Sequence, residues 1–175
     1  MKYHFQLLYM DESDIHLHPK LRKVWMFKGQ QKKIPAPGTN KKLHIFGALN
    51  FASNKVDYDI YRYKTQWQME TFLLKLFTEV YPQDYLVLVL DGVSYHKTPL
   101  IQNLLLDYSD RVFVVWLPGY CPKLNLIERF WEHMKQVTFD SYYWGDSPSL
   151  EQAAHDFFKE HNENPESDFA ISFRR

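Results

Sequence analysis

Cysteine is almost missing from this chain, because Cys121 is the only one in 175 residues. An internal disulfide is therefore excluded, and we expect a reducing compartment. No apolar run approaches the roughly 20 residues that a membrane helix needs, and the first residues lack a signal-peptide pattern. Repeats and low-complexity tracts are also missing. These absences predict a cytoplasmic globular domain without a membrane partner, and the 45% apolar content is enough for a core.

Acidic residues are missing from one long stretch. The formal net charge is zero, yet residues 15–56 contain no Asp or Glu and nine of the 21 Lys and Arg residues. The rest of the chain is left with 12 basic against 21 acidic residues. Clustered lysines attract the phosphates of a nucleic acid backbone. The stretch predicts DNA binding through Lys28, Lys32, Lys33, Lys41 and Lys42, and the alternative is an ordinary solvated loop and hairpin.

Hydrophobic periodicity predicts an α/β domain with the element order βββαβαβαα. We predict strands at 3–10, 43–50, 56–60, 85–90 and 112–117, the last two covered on both faces. Helices are predicted to begin after Thr65, after Thr98, at Asn125 and near Leu150. Val137 is expected on the buried face of the third helix, and the polar tail 161–175 is expected to be loosely held. This order is typical of a mixed sheet with helices on both faces.

Three acidic residues stand where a metal site is expected. Asp11 and Asp91 follow predicted strands, and ligand chemistry in open α/β sheets concentrates at strand ends. Glu128 lies in the opening turn of an amphipathic helix. Carboxylate oxygens bind Mg²⁺ and Mn²⁺, and two such ions can drive an in-line displacement at phosphorus. Structural alternatives stay open for each acid: a turn former for the two Asp residues and a capping box with Asn125 for Glu128.

The strings around these acids resemble one family of enzymes. LPGYCPKLNLIERFW, at 117–131, resembles the signature LP-x-Y-x-P-x-LN-x-IE-x-x-W of the mariner and insertion-sequence-630 transposases, a branch of the DDE superfamily. DESDIHLHP and VLVLDGVSYHKT are similar to the segments that carry the first and second catalytic Asp of that family, and 36 residues separate Asp91 from Glu128. The resemblance implies a ribonuclease H-like domain over residues 1–160, with a mixed five-stranded sheet in the order βββαβαβα.

The resemblance also implies an activity. Asp11, Asp91 and Glu128 would be the catalytic triad and would bind two Mg²⁺ or Mn²⁺ ions. The enzyme would cleave DNA at transposon ends and join the 3′-hydroxyl ends to target DNA. Two alternatives remain: a ribonuclease H-like nuclease or resolvase without strand transfer, and an inactive DNA-binding remnant of a transposase.

Several further residues receive supporting roles from the same resemblance. His96 is expected either to support the site or to contact DNA, with an ordinary loop histidine as the alternative. Glu12 is a secondary candidate, which we expect on the strand face opposite to its acidic neighbour. Tyr120 and Asn125 are expected to shape the loop before the third acid, and Trp131 is expected in the core.

The family carries helix-turn-helix modules ahead of the catalytic domain, and no such module fits before the first acidic residue of this chain. The chain would then be the second reading frame of a split transposase, an excised domain or a truncated relic. DNA remains the expected partner, and a separate helix-turn-helix subunit and a homodimer are open possibilities. In a bacterial host the protein would be associated with the nucleoid.

Overall fold

A mixed five-stranded sheet forms the centre of the protein. The computed structural model describes residues 4–18, 20, 25, 27–29, 33–35, 38–118, 124–140 and 142–165. The strands are β1 (Phe5–His16), β2 (Lys42–Asn50), β3 (Val56–Tyr61), β4 (Tyr85–Leu90) and β5 (Val112–Trp116), in the spatial order β3-β2-β1-β4-β5. The pairs β1–β2 and β2–β3 are antiparallel, while β1–β4 and β4–β5 are parallel. The predicted mixed sheet is confirmed.

Four α-helices cover the two faces of the sheet. They are α1 (Gln66–Lys75), α2 (Pro99–Asp107), α3 (Ile127–Met134) and α4 (Ser147–Glu163). A π-helical turn extends α1 over Leu76–Val80 and another extends α3 over Lys135–Phe139, while a 3₁₀ turn, Ser94–Lys97, precedes α2. In the ranges described above, no helix combines the length and the apolar character that crossing a bilayer requires.

Alternation along the strands divides the core into two layers. In β1, Leu8 and Met10 are buried against the α1 and α2 layer, whereas Ile15 is buried in the α3 and α4 layer. Side chains of opposite parity point to opposite faces of a strand, so neighbouring residues of β1 enter different layers. Each apolar side chain buried in this way contributes about 1.5–3 kcal/mol. The same rule separates Asp11 from Glu12, as predicted.

The predicted end of β1 and the predicted burial of both faces of β5 are wrong. β1 continues past residue 10 to His16, because residues 11–16 pair with Lys42–Gly47 of β2 even though five of these six residues are polar. The strand β5 is covered on one face only, and Phe113 and Val115 each keep 47% of their surface exposed. The layer formed by α3 and α4 packs mainly on β1, β2 and β3.

The prediction for Val137 is also wrong, since its side chain is 57% exposed. Val137 lies in the π-helical turn that follows α3, where the backbone of Asp140 donates to the carbonyl of Lys135. A π turn contains one residue more than an α turn, so it rotates the following side chains away from a stripe of 3.6-residue period.

The end of α4 is fastened to the β2–β3 hairpin, contrary to the prediction of a loose tail from residue 161. His161 Nε2 donates to the backbone carbonyl of Asn54 over 2.8 Å. The side chain of Asn162 accepts from the backbone N–H of Val56 and donates to its carbonyl, each over 2.9 Å. Asn162 thus pairs with the edge strand β3 as a neighbouring strand would. Residues 166–175 of the predicted tail lie outside the described part of the chain.

Candidate active site

Asp11 lies on β1, and Asp91 directly follows β4, the strand that pairs with β1 in parallel. The register of β1 and β4 pairs Tyr9 with Val89, two residues before each acid. β4 ends at Leu90, while β1 continues and pairs only with β2 beyond this level. The prediction that Asp11 follows its strand is wrong, because Asp11 lies inside the long strand β1. Asp91 lies directly after β4, as predicted.

Asp11 is held by Trp131 of α3. The indole Nε1 of Trp131 donates to Asp11 Oδ2 over 3.2 Å. Gly47 pairs with Asp11 across β1 and β2, and a Cβ atom at Gly47 would lie only 2.5 Å from Cη2 of the Trp131 ring. The missing side chain at this position of β2 lets the indole approach the sheet. Trp131 is therefore buried in the core, as predicted, and its indole also contacts the candidate site, which no local sequence pattern indicated.

Glu128 is positioned by the start of α3. The buried side chain of Asn125 donates from Nδ2 to the backbone carbonyl of Met10 over 3.1 Å. This hydrogen bond joins the residues before α3 to β1 at the position next to Asp11. The capping-box alternative for Glu128 is wrong, because α3 has no side-chain cap and Asn125 is committed to β1.

The electrostatics of the three acids show that they influence one another. Burial, followed by the charges of Glu12 and Glu128, raises the pKa of Asp11 to about 8. Burial raises the pKa of Glu128 as well, with a further contribution from the charge of Asp91. The pKa of Asp91 is instead lowered, chiefly by a hydrogen bond from His96. Crowded carboxylates at a half-buried site favour a bound proton or cation.

Glu12 lies on the other face of β1, in an ion-pair network. His96 Nε2 lies 2.9 Å from Glu12 Oε1, and His96 Nδ1 lies 2.8 Å from Asp91 Oδ1. Lys64 Nζ lies 3.2 Å from the second oxygen of Glu12. The side chain of His96 is 0% exposed, so the predicted DNA contact by His96 is wrong. The supporting role of His96 stays a prediction.

Burial alone would lower the pKa of His96, but its hydrogen bonds with Asp91 and Glu12 outweigh this effect and raise the pKa to about 9. For Glu12, burial would raise the pKa, but the hydrogen bond with His96 and the charges of His96 and Lys64 lower it. The histidine is therefore cationic and Glu12 is anionic at neutral pH.

The predicted DNA-binding lysines differ in how free their charges are. Lys28, Lys33 and Lys41 are exposed. Lys42 is exposed too, but its Nζ lies 2.7 Å from Asp14 Oδ2, and this ion pair offsets its charge. Two other predicted residues, Lys32 and Tyr120, lie outside the described residues.

The donor set suits a hard divalent cation, since Asp11, Asp91 and Glu128 offer carboxylate oxygens. In the described part of the chain, no group of three His, Cys, Asp or Glu side chains is already arranged around a metal position. Besides burial, the charge of Glu128 raises the pKa of Asp11, and the charge of Asp91 raises the pKa of both residues. These mutual effects are the basis for treating the three acids as one site.

The fold defines the class of protein. Its sheet and helices match those of ribonuclease H-like catalytic domains. The Mos1 transposase paired-end complex with left transposon end has a TM-score of 0.68 at 16% identity, over 87% of this chain and 47% of that chain. The HTLV-2 integrase catalytic core domain in complex with magnesium has a TM-score of 0.54 at 12% identity, over 90% of this chain and 84% of that one.

The sequence places the chain in a family within this class. The family model of the DDE superfamily endonucleases matches residues 6–151, and the chain belongs to this family. The insertion element IS630 uncharacterized 39 kDa protein of Shigella sonnei is 32% identical over 126 residues, which is 72% of this chain and 36% of that protein. The chain thus spans only about a third of that relative and less than half of the Mos1 chain.

Proposed function

We propose that this chain is the catalytic domain of a transposase that cleaves DNA at transposon ends and joins the 3′-hydroxyl ends to target DNA. The observation that carries the proposal is the convergence of Asp11, Asp91 and Glu128 from two parallel strands and a helix. Membership of the DDE superfamily endonucleases supports a phosphodiester substrate. The Mos1 structure, a complex with a transposon end, supports DNA as the partner.

Asp11, Asp91 and Glu128 would hold two Mg²⁺ or Mn²⁺ ions. Related structures contain these metals: one is described as the Mos1 paired-end complex with Mn and another as the Mos1 catalytic domain and Raltegravir with Mg. Bound ions of this kind supply activation of the attacking hydroxyl and charge neutralisation at the leaving oxygen. The residues of the chain contribute positioning: Trp131 holds Asp11, and Asn125 fastens the start of α3 to β1.

The test of the proposed triad is removal of each charge without a change of shape. Asp11→Asn, Asp91→Asn and Glu128→Gln should each abolish Mg²⁺-dependent cleavage of a transposon-end duplex, since an amide is a poor ligand for a hard cation. Circular dichroism should show that each variant is folded. The control is Asp107→Asn, an exposed carboxylate at the end of α2, which should cleave like the wild type. Full cleavage by any one of the three variants would remove that residue from the triad.

Strand transfer separates the proposed activity from its alternatives. A transposase domain should join an oligonucleotide with a free 3′-hydroxyl to a target duplex, while a nuclease or resolvase should only hydrolyse. An inactive remnant need not bind metal at all, so calorimetric titration with Mn²⁺ distinguishes it. The helix-turn-helix partner, the homodimer and the cytoplasmic location stay predictions.

The exposed lysines of the acid-poor stretch are proposed to hold the DNA backbone. Lys33→Glu and Lys41→Glu should each weaken binding about equally for all sequences and reduce the slope of log affinity against log salt by about 1. Lys159→Glu, on the exposed side of α4, is the matched control and should bind normally. Sequence-dependent loss of affinity would argue against backbone contacts.

A further inference from the structure

A chain of alternating charges leads from the protein surface to Asp91. It begins at Lys64, in the segment between β3 and α1, whose side chain is 35% exposed. Lys64 pairs with Glu12, a carboxylate with 2% exposure, and Glu12 pairs with the fully buried ring of His96. His96 then contacts Asp91, whose side chain is 40% exposed.

The geometry of the histidine ring determines what it does. His96 Nε2 forms a hydrogen bond with Glu12 Oε1 over 2.9 Å. His96 Nδ1 lies at ion-pair distance, 2.8 Å, from Asp91 Oδ1 and forms a hydrogen bond with the backbone carbonyl of Asp91 over 3.3 Å. The acceptors on the two sides of the ring are a carboxylate of Glu12 and the backbone carbonyl of Asp91, and the Asp91 carboxylate lies beside the second of them. The ring is also packed against Tyr95, with the centroids 4.3 Å apart, and the ammonium of Lys64 lies 5.3 Å from the Tyr95 centroid. Its orientation is therefore fixed from two sides.

Asp91 has more need of such support than Asp11. Asp11 lies within a strand that is paired with β2 and accepts from Trp131. Asp91 instead follows the last residue of β4 and precedes Gly92, outside any helix or strand. A carboxylate on such a segment can rotate freely unless a neighbouring group fixes one of its oxygens.

We propose that Glu12, His96 and Lys64 form a positioning relay, in which His96 engages Oδ1 of Asp91 and so presents Oδ2 to a divalent cation. The proposal rests on the proposed function, because it assigns Asp91 as a ligand. In this relay Glu12, which follows Asp11 in the sequence, orients Asp91 through His96. Partners of this kind fix the orientation of metal ligands, and their loss typically weakens metal affinity about 10–100-fold.

The test is the Mn²⁺ affinity of the DNA-free protein, measured by calorimetry. Glu12→Gln and His96→Gln should each weaken Mn²⁺ binding about 10–100-fold, and Lys64→Met should weaken it less because Lys64 is the outermost member. The matched control is His44→Gln, which removes another buried histidine that pairs with an acid, Asp14, at 2.7 Å. This control should bind Mn²⁺ like the wild type. If His96→Gln does not fold, Glu12→Gln and Lys64→Met decide the result.

A double-substitution cycle distinguishes positioning from general stabilisation. In an Asp91→Asn background, His96→Gln should cause no further loss of Mn²⁺ affinity, because the group that it positions is already gone. An additive loss would overturn the relay. Normal Mn²⁺ binding by Glu12→Gln and His96→Gln, alongside weak binding by Asp91→Asn, would also overturn it while leaving the triad intact. Normal binding by Asp91→Asn itself would instead contradict the proposed function.

Discussion

Replacement of Gly47 by alanine tests how closely α3 packs on the sheet beside the candidate site. A Cβ atom at this position would lie 2.5 Å from Cη2 and 2.7 Å from Cζ2 of Trp131, well inside van der Waals contact. The indole cannot move away without giving up its hydrogen bond to Asp11. Overpacking of this kind costs about 1–3 kcal/mol. We expect Gly47→Ala to lower Tm by roughly 2–4 °C for each kcal/mol lost.

The origin of this cost can be isolated by a second substitution. Trp131→Phe lacks both of the ring atoms that the new methyl group would meet. In that background Gly47→Ala should be neutral or slightly stabilising, by about 0.4–1 kcal/mol, because alanine restricts the unfolded chain. Scanning calorimetry of the two single variants and the double variant gives the coupling energy. Gly92→Ala is the control, since its Cβ would lie 3.2 Å from the flexible end of Lys97 and at an ordinary contact distance, 3.8 Å, from the backbone carbonyl of Leu117. An unchanged Tm for Gly47→Ala, or additive effects in the cycle, would refute the reasoning.

Three other predictions concern groups whose partners the structure identifies. Arg111→Met should lower the free energy of unfolding in urea by about 2–4 kcal/mol, because the guanidinium donates to three backbone carbonyls at the end of α1 and before β4; a loss under 1 kcal/mol would contradict this. Asn125→Ala should cost about 1–3 kcal/mol by the same measurement, since the buried carbonyl of Met10 would lose its donor, and an unchanged midpoint would count against the contact. In the folded chain the pKa of Asp11 is raised from 3.8 to about 8, so Asp11 lowers the free energy of unfolding progressively as pH rises through this interval. In EDTA, the Tm advantage of Asp11→Asn over the wild type should therefore be larger at pH 8 than at pH 5. A difference in Tm that does not change with pH would show that ionisation of Asp11 does not cause it.

Local sequence patterns predicted those parts of the fold that depend on neighbouring residues. The strand β4 has the predicted bounds, and α1 begins after Thr65, whose side chain accepts from the backbone N–H of Trp67. Both signals lie within a few residues of the element that they define. The family resemblance likewise singled out the three acids, because each lies in a contiguous motif, and their catalytic role stays a prediction.

Features that depend on long-range contacts were not predictable in this way. The contact between Trp131 and Asp11 joins residues 120 positions apart, and it requires Gly47 on a third element. The continuation of β1 to His16 depends on pairing with β2, since residues 11–16 are too polar to indicate a buried strand by themselves. His96 was ambiguous for the same reason: only the fold brings Glu12 and Asp91 to opposite sides of its ring.

The pairing of Asn162 with Val56 has a consequence for the order in which the protein is made. The two residues are 106 positions apart, so β3 leaves the ribosome long before the side chain that shields its edge. At about 5–20 residues per second this delay lasts roughly 5–20 s. During this interval the free edge of β3 can pair with a strand from another nascent chain, and crowded polysomes are where such pairing is most damaging. Protection of β3 therefore waits for the synthesis of α4, and slower translation of the residues between β3 and α4 lengthens the vulnerable period.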